Sequence, residues 1–272
     1  MYRNFWLVNS KNETWQFTDK SVKSFFQSPQ GLGYQSSLEV TQYGDVLRVD
    51  KEAFSFPKVQ GDLQFYDTAN ASRYDMYNRY VKFCMDSPLK LCYRIDLDGT
   101  QQTFYLPCYC TLVTKTESSR NGLLTCPVSF YGLGFWEDEP VSAELNNPSL
   151  NHNIVNPSDF PIGFYLKIEG TNIKNPYFTL SQDNELYGEA RFDGTFSSVT
   201  VDSNDGNQNV ILEYNGSVLP NPLSYQDLSI SNGAIYVTFI KLARGTSKLT
   251  LGYESGSIST LNINFVPKYR SV

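Results

Sequence analysis

The groups able to do chemistry in this 272-residue sequence are five cysteines, a single histidine and the carboxylates. Cys108 and Cys110 stand two apart in strand-forming sequence, so their thiols share a face, and with Cys84, Cys92 and Cys126 near them they form a conceivable zinc ligand set. Structural zinc sites space their cysteines C-x2-4-C and bring a second pair. Here the spacing is C-x-C and the second pair is missing, which favours small buried hydrophobes. His152 is the one imidazole available as a base, and it stands in Asn-rich sequence, where a solvated bystander is expected. Asp202, Asn204, Asp205 and Gly206, with Glu213 eleven positions after the first Asp, approximate an EF-hand loop. The glycine comes one position early and the flanks, SSVTVD and NVILEY, alternate as strands where helices are required, so a hairpin turn accounts for them. No G-x-S-x-G, Gly-rich phosphate loop or H-E-x-x-H occurs, and nothing singles out a glycosidase pair among the scattered carboxylates. The expectation is a chain with no catalytic residue, no metal ligand and no cofactor.

The elements that would hold any site are mostly strands. Nineteen Tyr and 18 Phe accompany a charged fraction of only 18%, the composition of a folded, strand-rich chain. Net charge is −6, which argues against a general nucleic-acid footprint. The halves differ: residues 1–136 carry 14 basic and 13 acidic side chains and all the cysteines, whereas 137–272 carry 8 and 15. An odd cysteine count without an even framework fits a reducing cytoplasm. The opening apolar run, Phe5 to Val8, is far short of a signal segment, and no stretch approaches the roughly 20 apolar residues of a membrane span. The sequons at Asn12, Asn70 and Asn215 have no role without export.

Leu38–Asp50 alternates in short runs broken at Tyr43-Gly44-Asp45, and Phe54-Ser55-Phe56 alternates again, predicting a hairpin or a pair of edge strands. Residues 73–86 change period. Tyr74, Met76, Tyr77, Tyr80, Val81, Phe83, Cys84 and Met85 fill one broad helical arc, Ser72 with Asp75 resembles a capping pair, and Pro88 closes the helix. Such an arc would be buried against a sheet and a neighbouring subunit, or against its own sheet alone. A meander follows, with Asp98-Gly99 and Asn121-Gly122 as its turns. Residues 136–156 are acidic and contain Asn and Pro, a linker candidate. Beyond them strands recur about every ten residues, including FYLKIEG, PYFTLSQ and LSISNGAIYVTF, as in a β-sandwich or jelly roll.

Taken in order, MYRNFWLVNSKNETW, GDLQFYD, the Tyr/Phe-rich helix, the meander and SFYGLGFWED resemble the N-terminal domain of phage distal tail proteins (Dit). NPSDFPIGFYLKIEGTNIKNPYFTL, the SSVTVD strand and ARGTSKLTLGY are similar to the C-terminal β-sandwich of the siphophage tail-component family. The resemblance implies a mainly β protein. Residues 1–136 would form a ring-forming, β-sandwich-like domain with one α-helix and a β-hairpin extension. Residues 137–272 would form a β-sandwich (jelly roll) similar to galectins and carbohydrate-binding modules. It further implies a structural virion protein, assembled in the host cytoplasm: a homo-hexameric hub at the tip of a long non-contractile tail, with a channel for DNA. The implied partners are other copies of itself, the major tail tube protein, a tail-associated tip protein and a receptor-binding or side-fibre protein; sequence-specific nucleic acid and membrane are not among them. The near-neutral first half suits packing in a ring and the acidic second half a solvated periphery. The hairpin around Leu38–Phe56 would reach a neighbour whose sheet completes it. Two other classes compete: a carbohydrate-binding host-recognition module using stacked aromatics, and a cell-wall hydrolase of unfamiliar type.

Overall fold

Alternation with period two places successive side chains on opposite faces of a pleated strand, and this chain follows it nearly throughout. The computed structural model describes residues 2–18, 23–33, 36–43, 45–66, 70–97, 99–118, 123–146, 148–219, 226–229 and 239–272. Among these it forms 23 strands and one helix, divided into two units, Met1–Asp138 with Tyr269–Val272, and Glu139–Lys268.

The first unit runs β1 (Tyr2–Val8), β2 (Thr14–Gln16), β3 (Ser24–Gln30), β4 (Ser36–Tyr43), β5 (Val46–Phe54), β6 (Lys58–Tyr66), α1 (Asn70–Met85), β7 (Leu89–Leu97), β8 (Thr100–Val113), β9 (Thr116–Ser118), β10 (Leu123–Gly132) and β11 (Trp136–Glu137). Its main sheet has the order β2-β1-β7-β8-β10-β6-β3, with β9 added to β10 and β11 to β8. Both edges are poor templates for a further strand. β2 has three residues, and β3 is broken by Ser28 at φ 49°, by Pro29 and by a register shift between Gln27 and Gln30. Leu7, Phe17, Val59, Leu63, Phe65, Leu91, Leu106 and Phe130 are fully buried on one side of this sheet.

Helix α1 closes that core with Met76, Tyr80, Phe83 and Cys84, spaced i, i+4, i+7, i+8 as one stripe. The Tyr80 ring lies 5.2 Å from Trp15 and 6.2 Å from Phe65. The rest of the predicted arc is not covered to the same degree: Tyr74, Tyr77 and Val81 are half-buried and Met85 is exposed. The helix also starts at Asn70, so Ser72 lies in its first turn and does not cap it; Ala71, a strong helix former, carries the helix back past it. The predicted turn at Asn121-Gly122, together with Gly44 and Asp98 of the other two turns, lies outside the described residues.

The second unit runs β12 (Val141–Asn146), β13 (Asn151–Asn156), β14 (Tyr165–Lys174), β15 (Tyr177–Gln182), β16 (Glu185–Phe192), β17 (Thr195–Asp202), β18 (Asn209–Tyr214), β19 (Ser217–Val218), β20 (Gln226–Ser229), β21 (Gly245–Gly252) and β22 (Ser255–Phe265). Two antiparallel sheets, β12-β22-β14-β17-β18-β19 and β13-β21-β15-β16-β20, enclose Phe164, Phe178, Leu180, Phe192, Phe196 and Leu212, the expected sandwich. Asp183-Asn184 and Asn215-Gly216 take the positive φ values that two-residue hairpin turns need. Most of the predicted strand LSISNGAIYVTF lies outside the described residues.

Two sequence expectations change here. Residues 136–156 are no linker: β12 and β13 are the edge strands of the two sheets, and an edge strand with one neighbour tolerates the Asn and Glu side chains that disguised it, while Pro140 and Pro148 fall outside the strands. The closing residues, placed by the sequence reading within 137–272, belong to the first unit. There β23 (Lys268–Tyr269) pairs with β11, Tyr269 packs edge-on to Phe104 at 5.6 Å, and the Val272 N–H donates to the Leu32 carbonyl at 3.0 Å.

Candidate assembly surface

Strands β4 and β5 pair only with each other, and no residue of β4 is buried. Their register sets Val40 opposite Val49, Gln42 opposite Leu47 and Tyr43 opposite Val46, with a bulge at Asp50. By strand parity Leu38, Val40, Leu47 and Val49 share one face, at 57, 50, 66 and 55% exposure. The other face carries Thr41, Arg48 and Asp50, where Asp50 accepts from the Thr41 hydroxyl and pairs with Arg48 at 3.2 Å. Tyr43 and Val46, 61 and 66% exposed, lie on this second face, and Glu52 stands opposite Leu38 on the first, so both faces carry bare apolar side chains, and among the described residues β4 and β5 pair with no other strand. A two-stranded hairpin alone is marginal in water, and four large aliphatic side chains gathered on an uncovered face mark an interaction surface. At its root the Arg270 guanidinium lies 3.7 Å from the Phe54 ring centroid, and Phe56 meets Phe135 edge-on at 5.4 Å.

A second apolar patch lies on β8 and β10. Tyr109 and Tyr131 are direct cross-strand partners, 44 and 48% exposed, on the face turned away from the core. The bulge in this pair brings Leu112, opposite Ser129, to the same face, and Leu133 follows two residues after Tyr131; both leucines are exposed.

The residues with chemical potential are not gathered into a site. All five cysteines are free thiols; Cys84, Cys108 and Cys126 are part of the core, Cys92 is buried and Cys110 half-buried. Burial pushes the Cys108 and Cys126 thiols up to about 12. A hydrogen bond between Cys84 and Cys110 raises the former and lowers the latter. His152 sits on β13, not in a linker, half-buried, with its Nε2 2.6 Å from the Ser149 carbonyl oxygen. Asp202 begins a hairpin turn between β17 and β18, its Oδ1 accepting from the Asn204 N–H at 3.0 Å, while Asp205 pairs with Lys241 at 2.8 Å. Among the described residues no group of three or more His, Cys, Asp or Glu side chains is placed to hold a metal ion.

Two hollows open among the described residues. One, about 400 Å³, opens between β12 and β13 and is lined by Val141, Ala143, Leu145, His152, Ile154 and Leu261 among others. It is apolar, and among the described aromatic residues of this unit Tyr214 is the exposed one. The other, about 470 Å³, lies between the Asn9–Glu13 turn and α1, where the exposed Lys11–Asp86 pair at 2.8 Å spans it.

The fold is similar to that of chains from phage baseplates. The full chain superposes on a chain of the phage P2 baseplate in its activated conformation with Ca (TM-score 0.54, 15% identity, 100% of both chains) and on one from the same baseplate with Sr (0.54, 14%, 100% of both). It also superposes on the Dit protein of phage SPP1, described as a paradigm of hub adsorption apparatus in Gram-positive infecting phages (0.67, 11%, 96% of this chain and 98% of that). Residues 4–133 match the distal tail protein N-terminal domain, and over its whole length the chain is similar in fold to these phage baseplate and Dit proteins. No curated protein sequence matches it.

Proposed function

We propose that six copies of this chain close into a ring at the tip of a long non-contractile tail. The ring joins the tail tube to a tail-associated tip protein and leaves a channel for DNA. Residues 1–136 form the ring, the sandwich within residues 137–272 occupies the periphery, and a receptor-binding or side-fibre protein is a candidate partner there. The observation that carries this reading is the β4–β5 hairpin, whose large apolar side chains stay exposed and whose strands pair only with each other among the described residues. A ring generated by rotation needs two different complementary surfaces on every subunit, and a protruding apolar hairpin supplies one. The charge distribution agrees, since the near-neutral first half packs closely at less electrostatic cost than the acidic second half would.

The test is the mass and shape of the purified chain by light scattering and negative-stain microscopy over a range of concentrations. A particle near 185 kDa, six times 30.9 kDa, with a central opening supports the ring. Intact rings from a chain lacking residues 44–53 would remove the hairpin from the reading.

A further inference from the structure

The five thiols of the first unit are not equivalent. Cys92, Cys108 and Cys126 are out of reach of solvent, and burial pushes the last two up to about 12. A buried thiol that keeps its proton is inert towards oxidants. Cys110 differs on both counts. It is half-buried, its thiol donates to the Leu112 carbonyl at 3.5 Å, and a hydrogen bond from Cys84 holds it below its ordinary value against the opposing effect of burial. The same contact raises Cys84, so that of the two it is Cys84 that keeps its proton. An accessible, lowered thiol touching a second thiol is the arrangement from which disulfides form. Both backbones have slack here. Cys84 is the last residue but one of α1, where helix ends fray, and the β8–β10 bulge that takes Thr111 out of the ladder lies next to Cys110.

We propose that Cys84 and Cys110 form a disulfide when the folded chain meets a small-molecule disulfide, Cys110 reacting first and Cys84 closing the bond, so that the end of α1 is stapled to β8. In the first step the Cys110 sulfur attacks one sulfur of R–S–S–R; that S–S bond breaks, and R–S⁻ leaves and takes the proton Cys110 gives up. In the second the Cys84 sulfur attacks the Cys110 sulfur of the mixed disulfide, and another R–S⁻ leaves with the proton of Cys84. Two protein thiols are oxidised by two electrons, and R–S–S–R is reduced to two R–SH. Tyr80 fits the second step. Its hydroxyl is fully buried with no hydrogen-bond partner among the described residues, and the polar group next to it is the Cys84 thiol. A buried hydroxyl left unpaired calls for an explanation, and a Cys84 thiolate gives it the acceptor it lacks. The thiol chemistry stands on these side chains alone. Its timing rests on the reading proposed above, since a tail component made in a reducing cytoplasm meets oxidising surroundings once it is released.

The test mixes the purified, reduced full-length chain with oxidised glutathione in the absence of oxygen, quenches samples in acid and reads intact mass and disulfide-linked peptides. The expected product has lost two hydrogens, joins Cys84 to Cys110 and unfolds at a higher urea concentration than the reduced chain. Cys108 and Cys110 share a tryptic peptide, so the pairing is confirmed in Cys108→Ala. Cys84→Ala should stop at the glutathione adduct on Cys110, and Cys110→Ser should react roughly tenfold more slowly or not at all. Tyr80→Phe, which removes only the hydroxyl, should form the adduct at the unsubstituted rate and close it several-fold more slowly, a split that a purely structural role would not produce. Each variant is first shown by circular dichroism to fold, and the half-buried position of Cys110 keeps Cys110→Ser informative should Cys84→Ala unfold. A folded chain that stays reduced, a bond to Cys108, or Cys110→Ser reacting at the unsubstituted rate would overturn the proposal. A disulfide that leaves the urea midpoint unmoved would overturn the staple, and an unchanged closing rate in Tyr80→Phe would overturn the part given to the hydroxyl. The ring is read separately by light scattering: its failure would remove the timing and leave the pairing of the thiols as measured.

Discussion

Replacing Leu47 by alanine separates folding from assembly, because this side chain is 66% exposed in the isolated subunit and contributes little to its stability. Full burial of a leucine contributes about 1.5–3 kcal/mol. If the ring covers the exposed two-thirds, each contact loses about 1–2 kcal/mol, a factor of roughly 5–30 in its equilibrium constant. A closed ring repeats the loss at every contact, so the concentration at which rings half-dissociate should rise steeply. Subunit stability should stay within about 0.5 kcal/mol of the unsubstituted chain, as for other surface changes. Light scattering through a dilution series reads the first quantity and urea unfolding of dilute monomer the second. An assembly midpoint unmoved within twofold would show that the hairpin face stays in water in the ring. A stability loss above about 1 kcal/mol would show that Leu47 packs within its own subunit, and the argument from exposure would fail.

Gly170→Ala should destabilise the second unit by about 2–4 kcal/mol in denaturant unfolding, since its Cβ would stand 1.9 Å from the Ser257 carbonyl oxygen across the β14–β22 bulge. Asn156→Ala should cost about 2 kcal/mol or more: the buried amide donates to the Phe160, Leu242 and Ala243 carbonyls and accepts from the Ser158 N–H, and calorimetry would read the loss in the same unit. For pH, Cys108 and Cys126 keep their protons in the folded state up to about 12, whereas an unfolded thiol releases its proton near about 8.5. Between those values the unfolded chain binds fewer protons, so stability of the first unit should fall as pH rises; urea midpoints at pH 8 and 10.5 check the slope, and Cys126→Ala should reduce it.

The hairpin shows where sequence reading reached and where it stopped. The break at Tyr43-Gly44-Asp45 between alternating runs marks two paired strands, as found. Alternation, however, has the same form whether the apolar face lies on a core or on another molecule, so only coordinates reveal that Leu38, Val40, Leu47 and Val49 are bare. The helix was legible because its period differs from that of everything around it. The edge strands β12 and β13 were not, because one neighbour and one core face leave room for Asn and Glu. The outward-facing tyrosine pair escaped entirely: Tyr109 and Tyr131 lie 22 positions apart and meet only through the β8–β10 register. A faint signal existed in the aromatic residues that interrupt CYC and FYG at outward-facing strand positions. The cysteines behaved as small core side chains, and His152 sat in a strand whose Asn-rich composition imitated a loop.

The return of Tyr269–Val272 to the first unit sets an order of events during synthesis. At roughly 5–20 residues per second, a ribosome that has finished Asp138 must still make all of Glu139–Lys268, roughly 7 to 26 s of work, before the strand that pairs with β11 exists. Arg270, which lies over Phe54 at the hairpin root, arrives later still. The hairpin therefore gains its final seating only after Arg270 has been made. Nascent fragments that stop short of Arg270 carry the exposed strand pair without the contact at its root.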